Sequence, residues 1–412
     1  MSNTPKVRFK GFGEEWEWRR LSAYLTVSTL KNRDKVYGKE DVLSVSGDYG
    51  IVNQIEFQGR SFAGESVINY GVVETGDVVY TKSPLKSNPY GIIKTNKGNA
   101  GIVSTLYAVY KPTALTDPYF VQIYFEQDAR MNNYMHPLVN KGAKNDMKVS
   151  AVNALKGDVI FPGIIEQNKI VKCFEKIDYL IILHQKKCDE TKELKKYMLK
   201  KLFPQNGKKV PEIRFAGFTG DWEQKKLGEI ADKVTEKNIG LQYIETFTNS
   251  AEFGIISQRD FFDHDISKMG SLDGYYIIRN DDFVYNPRIS VSAPVGPINR
   301  NKLGRTGVMS PLYTVFRPHD IDATYLEYFF KCACWHSFMI FYGDSGVRSD
   351  RFSIKDSVFF QMPIPIPCIE EQIEIGIFFT NLDHLITLHQ RKCNELKDLK
   401  KFMLQNMFPQ KG

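Results

Sequence analysis

Two histidine–cysteine pairs come nearest to a metal site in this sequence. His184 with Cys188, and again His389 with Cys393, are spaced four residues apart, which places each pair on one face of a helix. Together they would supply the two thiolates and two imidazoles of a tetrahedral zinc site. The alternative is packing, since cysteine behaves as a small hydrophobe and histidine can form a polar layer in a helical seam. We favour packing and predict no metal site.

A second motif with chemical potential is the tetrapeptide Ser87-Asn88-Pro89-Tyr90. It partly matches the (Asn, Asp or Ser)-Pro-Pro-(Phe or Tyr) motif with which enzymes that methylate amino groups hold a flipped adenine. The second proline is missing, and no glycine-rich cofactor loop follows a first strand. The counterpart in the second half, Tyr285-Asn286-Pro287-Arg288, does not match either. We therefore predict a turn beside a binding surface.

Motifs for other catalytic chemistry are missing as well. The sequence contains no P-loop, no Gly-x-Ser-x-Gly elbow and no His-Glu-x-x-His pair. Only seven histidines are present, so candidates for a general base are few. These observations predict a non-catalytic chain.

Composition is that of a globular protein, with 42% hydrophobic and 25% charged residues among 412. This length allows two or three domains, each with its own core. An apolar run of membrane-spanning length and a secretory leader are both missing, and six cysteines do not make a disulfide framework. We expect a cytoplasmic protein with reduced thiols. The net charge of +7 is compatible with a polyanionic partner but does not require one.

An internal duplication is the strongest feature of the chain. An opening motif at residues 5–12, followed by Trp16, returns at 211–218, followed by Trp222. Residues 183–205 recur as 388–410, with 15 of 23 positions identical. The predicted division is 1–163 (opening motif and central region), 164–206 (closing helix), 207–368 (opening motif and central region) and 369–412 (closing helix).

Each closing helix carries the heptad seam of a coiled coil, with steps of four and three. The seam residues are Ile170, Phe174, Ile177, Ile181, His184, Cys188 and Thr191 in the first helix and Ile375, Phe379, Leu382, Ile386, His389, Cys393 and Leu396 in the second. An antiparallel pair with one central region at each end would give a pseudo-two-fold molecule, and a parallel pair stays possible. About 40 residues make a rod of roughly 60 Å.

The central regions share a scaffold of short β-branched and aromatic runs, which predict strands. Matching runs lie at residues 48–54, 77–80 and 104–112, and at 252–258, 282–285 and 310–318; helical stretches follow at about 119–134 and 325–341. Residues 30–40 and 259–272 show no correspondence in sequence. The predicted class is α+β, with two similar α/β domains separated by the antiparallel helix pair.

Basic and polar residues recur at matching points of both central regions. A solvated surface is the alternative for any one of them, but the recurrence favours a face that contacts phosphates and bases. The candidate DNA-binding residues are Lys82, Lys86, Asn88, Tyr90, Lys144, Asn145, Lys148, Arg288, Ser290, Arg300, Arg348, Ser349 and Arg351.

The duplicated order of motifs resembles the specificity (S) subunit of type I restriction–modification systems. The resemblance rests on the RF-x-GF…W opening motif, the P…EQ start of a long helix and its L-x-x-x-K…LKK-x-x-L end, and it covers essentially the whole chain. It implies that each central region is a target-recognition domain that reads one half of an asymmetric, bipartite double-stranded DNA site. The helices would set the spacing between the half-sites.

The same resemblance implies partners and cofactors. Two methyltransferase (M) subunits, which bind S-adenosylmethionine and methylate adenine, and restriction (R) subunits, which use ATP and Mg²⁺, would assemble on a chain that holds no cofactor itself. The nearly identical helix ends are expected to bind two copies of one partner. The candidate partner-binding residues are Lys192, Lys196, Lys397 and Lys401, with Trp16 and Trp222 if these are exposed rather than packed in the core.

A tandem-repeat nucleic-acid-binding adaptor outside restriction–modification is the alternative function. It would bind nucleic acid without a methyltransferase partner. The chain also lacks the tandem short repeat with which some specificity subunits change the gap between half-sites. The spacer length therefore cannot be inferred from the sequence.

Overall fold

A computed structural model describes residues 3–82, 88–139, 149–205, 207–262, 269–344 and 350–409. The chain forms two compact units. Unit 1 comprises Met1–Gln185 with Arg391–Gly412, and unit 2 comprises Lys186–Gln390. Within the described residues, no helix is long and apolar enough to cross a membrane.

Unit 1 is built from short strands and three short helices, followed by a long helix. The strands are β1 (Glu17–Arg20), β2 (Leu25–Val27), β3 (Leu43–Ser46), β4 (Gly50–Asn53), β5 (Gly71–Val73), β6 (Val78–Tyr80), β7 (Ile93–Thr95), β8 (Gly101–Val103), β9 (Ala108–Pro112) and β10 (Asp158–Phe161). The helices are α1 (Gln54–Gln58), α2 (Pro118–Phe125), α3 (Asp128–Met135) and α4 (Ile164–Lys201), with 3-10 turns at Leu21–Ala23, Lys39–Asp41, His136–Leu138 and Asn153–Leu155.

Unit 2 repeats this order of elements. The strands are β11 (Glu223–Lys226), β12 (Ala231–Lys233), β13 (Thr246–Ser250), β14 (Gly254–Ser257), β15 (Tyr276–Ile278), β16 (Phe283–Tyr285), β17 (Ile298–Arg300), β18 (Gly307–Met309), β19 (Thr314–Pro318) and β20 (Pro363–Ile366). The helices are α5 (Gln258–Phe262), α6 (Ala323–Lys331), α7 (His336–Tyr342), α8 (Asp356–Phe359) and α9 (Ile369–Asn406), with 3-10 turns at Leu227–Glu229 and Met269–Gly274.

Sheet topology is the same in both units. Unit 1 has an antiparallel sheet in the order β2-β9-β6-β7, and unit 2 has β12-β19-β16-β17. A second sheet in unit 2 runs β14-β13-β18-β15; in unit 1 the pairs β3-β4 and β5-β8 are joined by a bridge from Val42 to Ile102. A ribbon of β1 with β10, or β11 with β20, completes each unit. The predicted α+β class and the predicted duplication are therefore confirmed.

The central-region predictions are confirmed for the strands and refined for the helices. The predicted strands at 77–80 and 282–285 are β6 and β16, which are buried along their whole length. The helical stretch predicted at about 119–134 is two helices, α2 and α3, and the stretch at 325–341 is α6 and α7. Periodicity alone had not shown the break between them.

Both long helices contribute to both units, because the division falls in the middle of α4 and α9. In unit 1, Phe174 lies 6.3 Å from Phe408 between ring centroids, whereas Gln185 accepts the thiol of Cys393. Partner numbers fall on α9 as they rise on α4, so the helix segments are antiparallel. The seam prediction is confirmed by the burial of its main apolar positions: Ile170, Phe174, Ile177, Ile375, Phe379 and Leu382.

The same direction of packing holds within unit 2. Phe203 stacks on Phe379 with ring centroids 6.1 Å apart, Lys195 pairs with Asp383, and Cys188 donates its thiol to Gln390. Partner numbers again fall as residue numbers rise on α4. The antiparallel alternative is thus the one adopted inside each unit.

An equivalence between residues 30–40 and the second half was missed in the sequence. Asn32 donates its amide to the Tyr37 carbonyl at 2.8 Å and accepts the Tyr37 N–H at 3.1 Å. Asn238 makes the same pair of bonds with Tyr243, at 2.8 and 3.0 Å. These bonds need only the asparagine side chain, because Tyr37 and Tyr243 take part through their backbone N–H and carbonyl groups, so the rest of the loop can diverge. The prediction of no correspondence is wrong for this segment.

The opening part of residues 259–272 also has a counterpart, since α5 occupies the place of α1 after the matching strand. Residues 263–268 lie outside the described residues. Cys332 and Cys334 lie close enough for a disulfide in the turn between α6 and α7, and the expectation of reduced thiols stays a prediction. Their Cα atoms lie 5.5 Å apart, within the range that a disulfide spans.

Candidate nucleic-acid interface

Each opening motif is held by a bidentate ion pair to the first turn of a long helix. The guanidinium of Arg8 donates to both carboxylate oxygens of Glu166 at 2.8 Å, and Arg214 does the same to Glu371 at 2.7 Å. The hydrogen bond to Glu371 raises the pKa of Arg214 above its already high usual value. The arginine of the RF motif and the glutamate of the EQ motif therefore form an ion pair that is present in both halves and connects the start of each half to its closing helix.

The glutamine of each EQ motif fixes the central region to the same helix turn. The buried Gln167 accepts from the Thr116 hydroxyl and the Asp117 N–H, and donates to the carbonyls of Leu115 and Pro162. In unit 2, Gln372 accepts from the Asp322 N–H and donates to the Pro367 carbonyl. These glutamines align the helix with the sheets of its own unit.

A groove of about 380 Å³ in unit 2 brings three of the candidate DNA-binding residues together. Arg288, Ser290 and Arg351 line it, with Thr248, Asn249 and Ser250 from the β13 side. The backbone positions of Arg288 and Arg351 are joined by an antiparallel bridge, so the two guanidinium groups start from adjacent points. The sequence placed these residues more than 60 positions apart, and the fold makes them neighbours.

The electrostatics of this groove favour an anion. Among its lining residues, all of them in the described part of the chain, none is acidic. Arg288 is 72% exposed along its side chain and only loosely paired, with Asp350 at 3.7 Å. Such an arginine keeps most of its hydrogen-bonding capacity for a ligand, because an exposed pair at this distance contributes little.

A rigid asparagine network forms the floor of the groove. Asn249 is buried and donates to the Val284 carbonyl at 2.7 Å, while Asn299 donates to the side-chain oxygen of Asn249 at 2.7 Å. Asn286 donates to the backbone carbonyl of Asn249 at 2.8 Å and receives the N–H of Arg288 at 2.9 Å. The network ties Arg288 to both sheets of the unit, which fixes where its side chain begins. The sequence did not predict Asn249 and Asn299, because the only feature that distinguishes them is the hydrogen bond between their side chains, which the sequence does not show.

The candidates in unit 1 are placed differently. Lys82 donates to the Thr105 carbonyl at 2.9 Å, and burial, with the nearby charge of Lys31, lowers the pKa of Lys82. Asn88 is buried and donates to Asp128 at 2.9 Å. Tyr90 is half-buried beside His136, and its carbonyl receives the Tyr80 hydroxyl. The Asn-Pro-Tyr motif is thus a turn held by internal bonds, as predicted for a turn.

Arg300 is engaged inside unit 2 rather than at the groove. Its side chain is 16% exposed, and it bonds to Asp281 and to the hydroxyl of Thr324, with Glu327 at 3.7 Å. Six further candidates lie outside the described residues, and their placement stays a prediction. They are Lys86, Lys144, Asn145, Lys148, Arg348 and Ser349.

The lysines predicted to bind a partner are exposed on the outer faces of the long helices. Lys192 and Lys196 lie on the unit 2 part of α4, and Lys397 and Lys401 lie on the unit 1 part of α9. Large apolar side chains that the sequence analysis missed accompany them in the same register. These are Leu194 and Tyr197, and Leu399 and Phe402, each between 45% and 51% exposed.

Trp16 and Trp222 were expected at the partner surface only if exposed, and this condition is not met. Trp16 is 1% exposed and packs edge-on against Phe120 and Phe408, and Trp222 is 4% exposed beside Tyr325. The reason is that each tryptophan fills the space between its central region and the end of a long helix. Both are core residues.

The histidine–cysteine pairs occupy the seam, and their thiols have nearby carbonyl partners. Cys188 is 3.8 Å from the Ile386 carbonyl and 3.7 Å from the Gln390 side chain, and Cys393 is 3.6 Å from Gln185. Within the described part of the chain, no group of three or more possible metal ligands converges. This arrangement agrees with packing, which the sequence favoured.

An ion pair between the helix segments of unit 2 predicts an acid-dependent stability. Burial raises the pKa of Asp383, but the hydrogen bond and charge of Lys195 outweigh burial and leave the pKa below its usual value. Burial lowers the pKa of Lys195 in the same pair. The Tyr328 hydroxyl also donates to Asp383, which adds to the lowering of the Asp383 pKa.

The stabilisation from Asp383 is present at neutral pH and is lost as the pH falls through the depressed pKa, below about 4. Because Asp383 is partly exposed, we expect Asp383→Asn to cost at most about 1 kcal/mol at pH 7. Urea unfolding between pH 7 and pH 3 measures this. The difference from the wild type should shrink toward pH 3, and a difference independent of pH would contradict the assignment.

Known proteins with similar sequences are specificity subunits of type I restriction enzymes. Residues 219–398 match the family model of the type I restriction modification DNA specificity domain. The type I restriction enzyme MjaVIII specificity subunit of Methanocaldococcus jannaschii is 24% identical over 254 residues, and the alignment spans 58% of each chain. The putative MjaX specificity subunit of the same organism is 21% identical over 430 aligned residues, covering 97% of this chain and 94% of that one.

A solved structure shows the same fold. The type I restriction-modification S subunit of M. genitalium is 12% identical, with a TM-score of 0.56 and coverage of 99% of this chain and 100% of that one. Fold and site together define a protein with two like sheet-rich units, each built on segments of two long helices. The chain is similar to type I restriction–modification specificity subunits, and residues 219–398 match their DNA specificity domain.

Proposed function

We propose that this chain reads an asymmetric, bipartite DNA site, one half-site with each unit, and performs no catalysis itself. The observation that carries the proposal is the unit 2 groove. It joins Arg288, Ser290 and Arg351 in a cavity without an acidic lining residue among those described. Arginine donors of this kind contact phosphates and the O6 and N7 atoms of guanine.

The asymmetry of the site is inferred from the different chemistry at matching positions. The structural counterpart of Tyr90 is Val295 and not Arg288, because Tyr80 donates to the Tyr90 carbonyl and Tyr285 donates to the Val295 carbonyl, each one residue before a glycine with positive φ. Unit 1 thus has a half-buried tyrosine where unit 2 has a buried valine. The two units share their strands and helices but differ in the side chains at corresponding positions. This difference favours two unlike half-sites rather than a palindrome. The alternative, a nucleic-acid-binding adaptor outside restriction–modification, would use the same groove without methyltransferase partners.

The proposed partners are two methyltransferase subunits and the restriction subunits. Support comes from the outer helix surfaces, where Leu194 and Tyr197 with Lys192 and Lys196 are repeated as Leu399 and Phe402 with Lys397 and Lys401. Two like surfaces suit two copies of one partner. S-adenosylmethionine, ATP and Mg²⁺ would belong to these partners, and a cytoplasmic location goes with the same proposal.

Removing the two groove arginines is expected to weaken specific DNA binding. For the double variant Arg288→Ala/Arg351→Ala we expect a loss of at least about 30-fold at roughly 0.15 M salt, because each base contact contributes on the order of 1–3 kcal/mol and two contacts together at least about 2 kcal/mol. Arg279→Ala is the matched control; this arginine is equally charged and partly exposed, pairs with Glu236, and follows β15 at the other edge of the sheet. Fluorescence anisotropy on the site found by methylome sequencing of the host measures the effect.

The salt dependence of binding separates two roles for these arginines. A loss confined to bases of one half-site indicates base contacts. A uniform loss with a shallower salt slope indicates phosphate contacts. Binding equal to that of the Arg279→Ala control would remove the groove from the interface.

The scaffold part of the proposal is tested by assembly. The chain should co-purify with its cognate methyltransferase at two copies per chain, measured by native mass spectrometry. Specific DNA binding by the chain without any methyltransferase complex would favour the adaptor function instead.

A further inference from the structure

Both units carry a hairpin whose tip presents an aromatic side chain to solvent. β3 and β4 are joined by residues 47–49, and β13 and β14 by residues 251–253, with Ser46 opposite Gly50 and Ser250 opposite Gly254. Gly50 and Gly254 have φ angles of 76° and 71°, the left-handed conformation that closes a three-residue hairpin loop. The residue before each glycine is aromatic: Tyr49 in unit 1 and Phe253 in unit 2.

The tips are built in the same way. The Ser46 hydroxyl accepts the Tyr49 N–H at 3.2 Å, and the Ser250 hydroxyl accepts the N–H groups of Glu252 and Phe253 at 3.2 Å. This bonding fixes the backbone of the loop at the aromatic residue, and in unit 1 the Tyr49 ring lies 5.2 Å from the Phe57 ring. Tyr49 is 69% exposed and Phe253 is 59% exposed. Aromatic rings are otherwise mostly core residues in this chain, and burial of an exposed ring by a ligand is favourable.

The tip in unit 2 lies at the groove already described. Ser250 and Ala251 belong to its lining, and so does Leu312, which is 62% exposed. Leu106 is the counterpart of Leu312 in unit 1 and is 59% exposed. Each unit therefore presents an aromatic tip and an exposed leucine from corresponding loops, and in unit 2 both flank the groove of Arg288 and Arg351.

The neighbouring acidic residue indicates which part of DNA the tip meets. Asp48 precedes Tyr49, and Glu252 precedes Phe253. A carboxylate is repelled by phosphates but accepts a hydrogen bond from the exocyclic amino group of cytosine in the major groove, while an aromatic ring makes apolar contact with the thymine methyl group. The major groove of B-DNA also admits a two-stranded β-ribbon.

We propose that the two hairpin tips enter the major groove of their half-sites and that Tyr49 and Phe253 contact bases there. The inference rests on the proposed function and deepens it by naming one specificity-determining residue for each half-site. Arginines of the groove hold the backbone or neighbouring bases, and the aromatic tip distinguishes base pairs by apolar contact.

The test measures loss of discrimination at single base pairs. The full chain, assembled with its methyltransferase subunits, carries Tyr49→Ala or Phe253→Ala and is titrated with duplexes that change each base pair of the methylome-defined site. We expect each variant to bind the cognate duplex about tenfold more weakly and to become indifferent to one base pair, in one half-site for Tyr49→Ala and in the other for Phe253→Ala. Tyr49→Phe should keep discrimination.

Val36→Ala and Ile239→Ala are the matched controls, since both side chains are more than 70% exposed. Val36 lies in the Asn32 loop, which pairs with β5 through a bridge from Lys31 to Gly71, and Ile239 lies in the Asn238 loop, which pairs with β15 through a bridge from Lys237 to Tyr276. In each unit this is the sheet edge opposite to the hairpin strand, β4 or β14. Unchanged discrimination in both tip variants overturns the inference while leaving the proposed function in place. A wild-type complex that does not discriminate among duplexes overturns both.

Discussion

Arg214→Ala is expected to destabilise unit 2 by about 3–5 kcal/mol, which corresponds to a Tm lower by roughly 10 °C for a unit of this size. The reason is the carboxylate that remains. The Glu371 side chain is 0% exposed, and Arg214 is its bidentate partner at 2.7 Å. Without the guanidinium, a buried charge at the start of a 38-residue helix loses its compensation. Differential scanning calorimetry of the full chain measures the unfolding.

The control for this prediction is another bidentate pair in the same unit. Arg305 bonds to both oxygens of Glu245, at 2.8 and 2.7 Å, but these side chains are 47% and 32% exposed. Arg305→Ala should therefore change the stability far less than Arg214→Ala does, because solvent screens an exposed pair. Arg214→Lys should lie between the two, because an ammonium keeps the charge but not the two-pronged geometry. Equal losses for Arg214→Ala and Arg305→Ala would contradict the role assigned to burial.

Trp16→Ala is expected to destabilise unit 1 by about 3–5 kcal/mol through the cavity it leaves among large side chains. Trp16 lies between Phe120 and Phe408, with centroid distances of 6.0 and 5.9 Å, so it joins α2 to the end of α9 within this unit. Its indole N–H has no hydrogen-bond partner among the described residues, so the loss is one of packing. Chemical denaturation monitored by circular dichroism gives the magnitude.

Trp18→Ala provides the comparison two residues further along the chain. Trp18 is 43% exposed, and its indole donates to Asn3 at the surface. We expect a change of less than about 1 kcal/mol there. If the Trp16→Ala chain keeps its stability but no longer assembles with the methyltransferase, Trp16 is a partner-binding residue and the assignment to the core is contradicted.

Prediction from sequence succeeded where a short pattern determines a local structure. The heptad positions of α4 and α9 pack as expected, because burial of every third and fourth residue is a property of a helix in any context. The β6 and β16 runs are strands for a similar reason. Prediction failed for the Asn32 and Asn238 loops, since two hydrogen bonds from one side chain define them and leave almost no compositional trace.

The candidate site was predicted only in part. Arg288, Ser290 and Arg351 do converge, whereas Arg300 bonds to Asp281 and Thr324, and Asn88 bonds to Asp128. A cation in a sequence carries no sign of whether an internal carboxylate lies beside it. Asn249 was not predicted, because its role depends on neighbours that are distant along the chain. The hairpin tips lie in the matching runs at residues 48–54 and 252–258, but the sequence did not predict that their aromatic side chains are exposed.

The sequence by itself determined the duplication, the two long helices and the resemblance to specificity subunits, since each is recorded in the order and spacing of residues. Only the tertiary structure decided which residues are available to a ligand. It placed Trp16 and Trp222 in the core, joined Arg8 to Glu166, and left Tyr49, Phe253 and Arg288 exposed. The physical reason is that the exposure and pairing of a side chain depend on which residues lie beside it in the folded protein. The helices and strands follow from the local periodicity of the sequence.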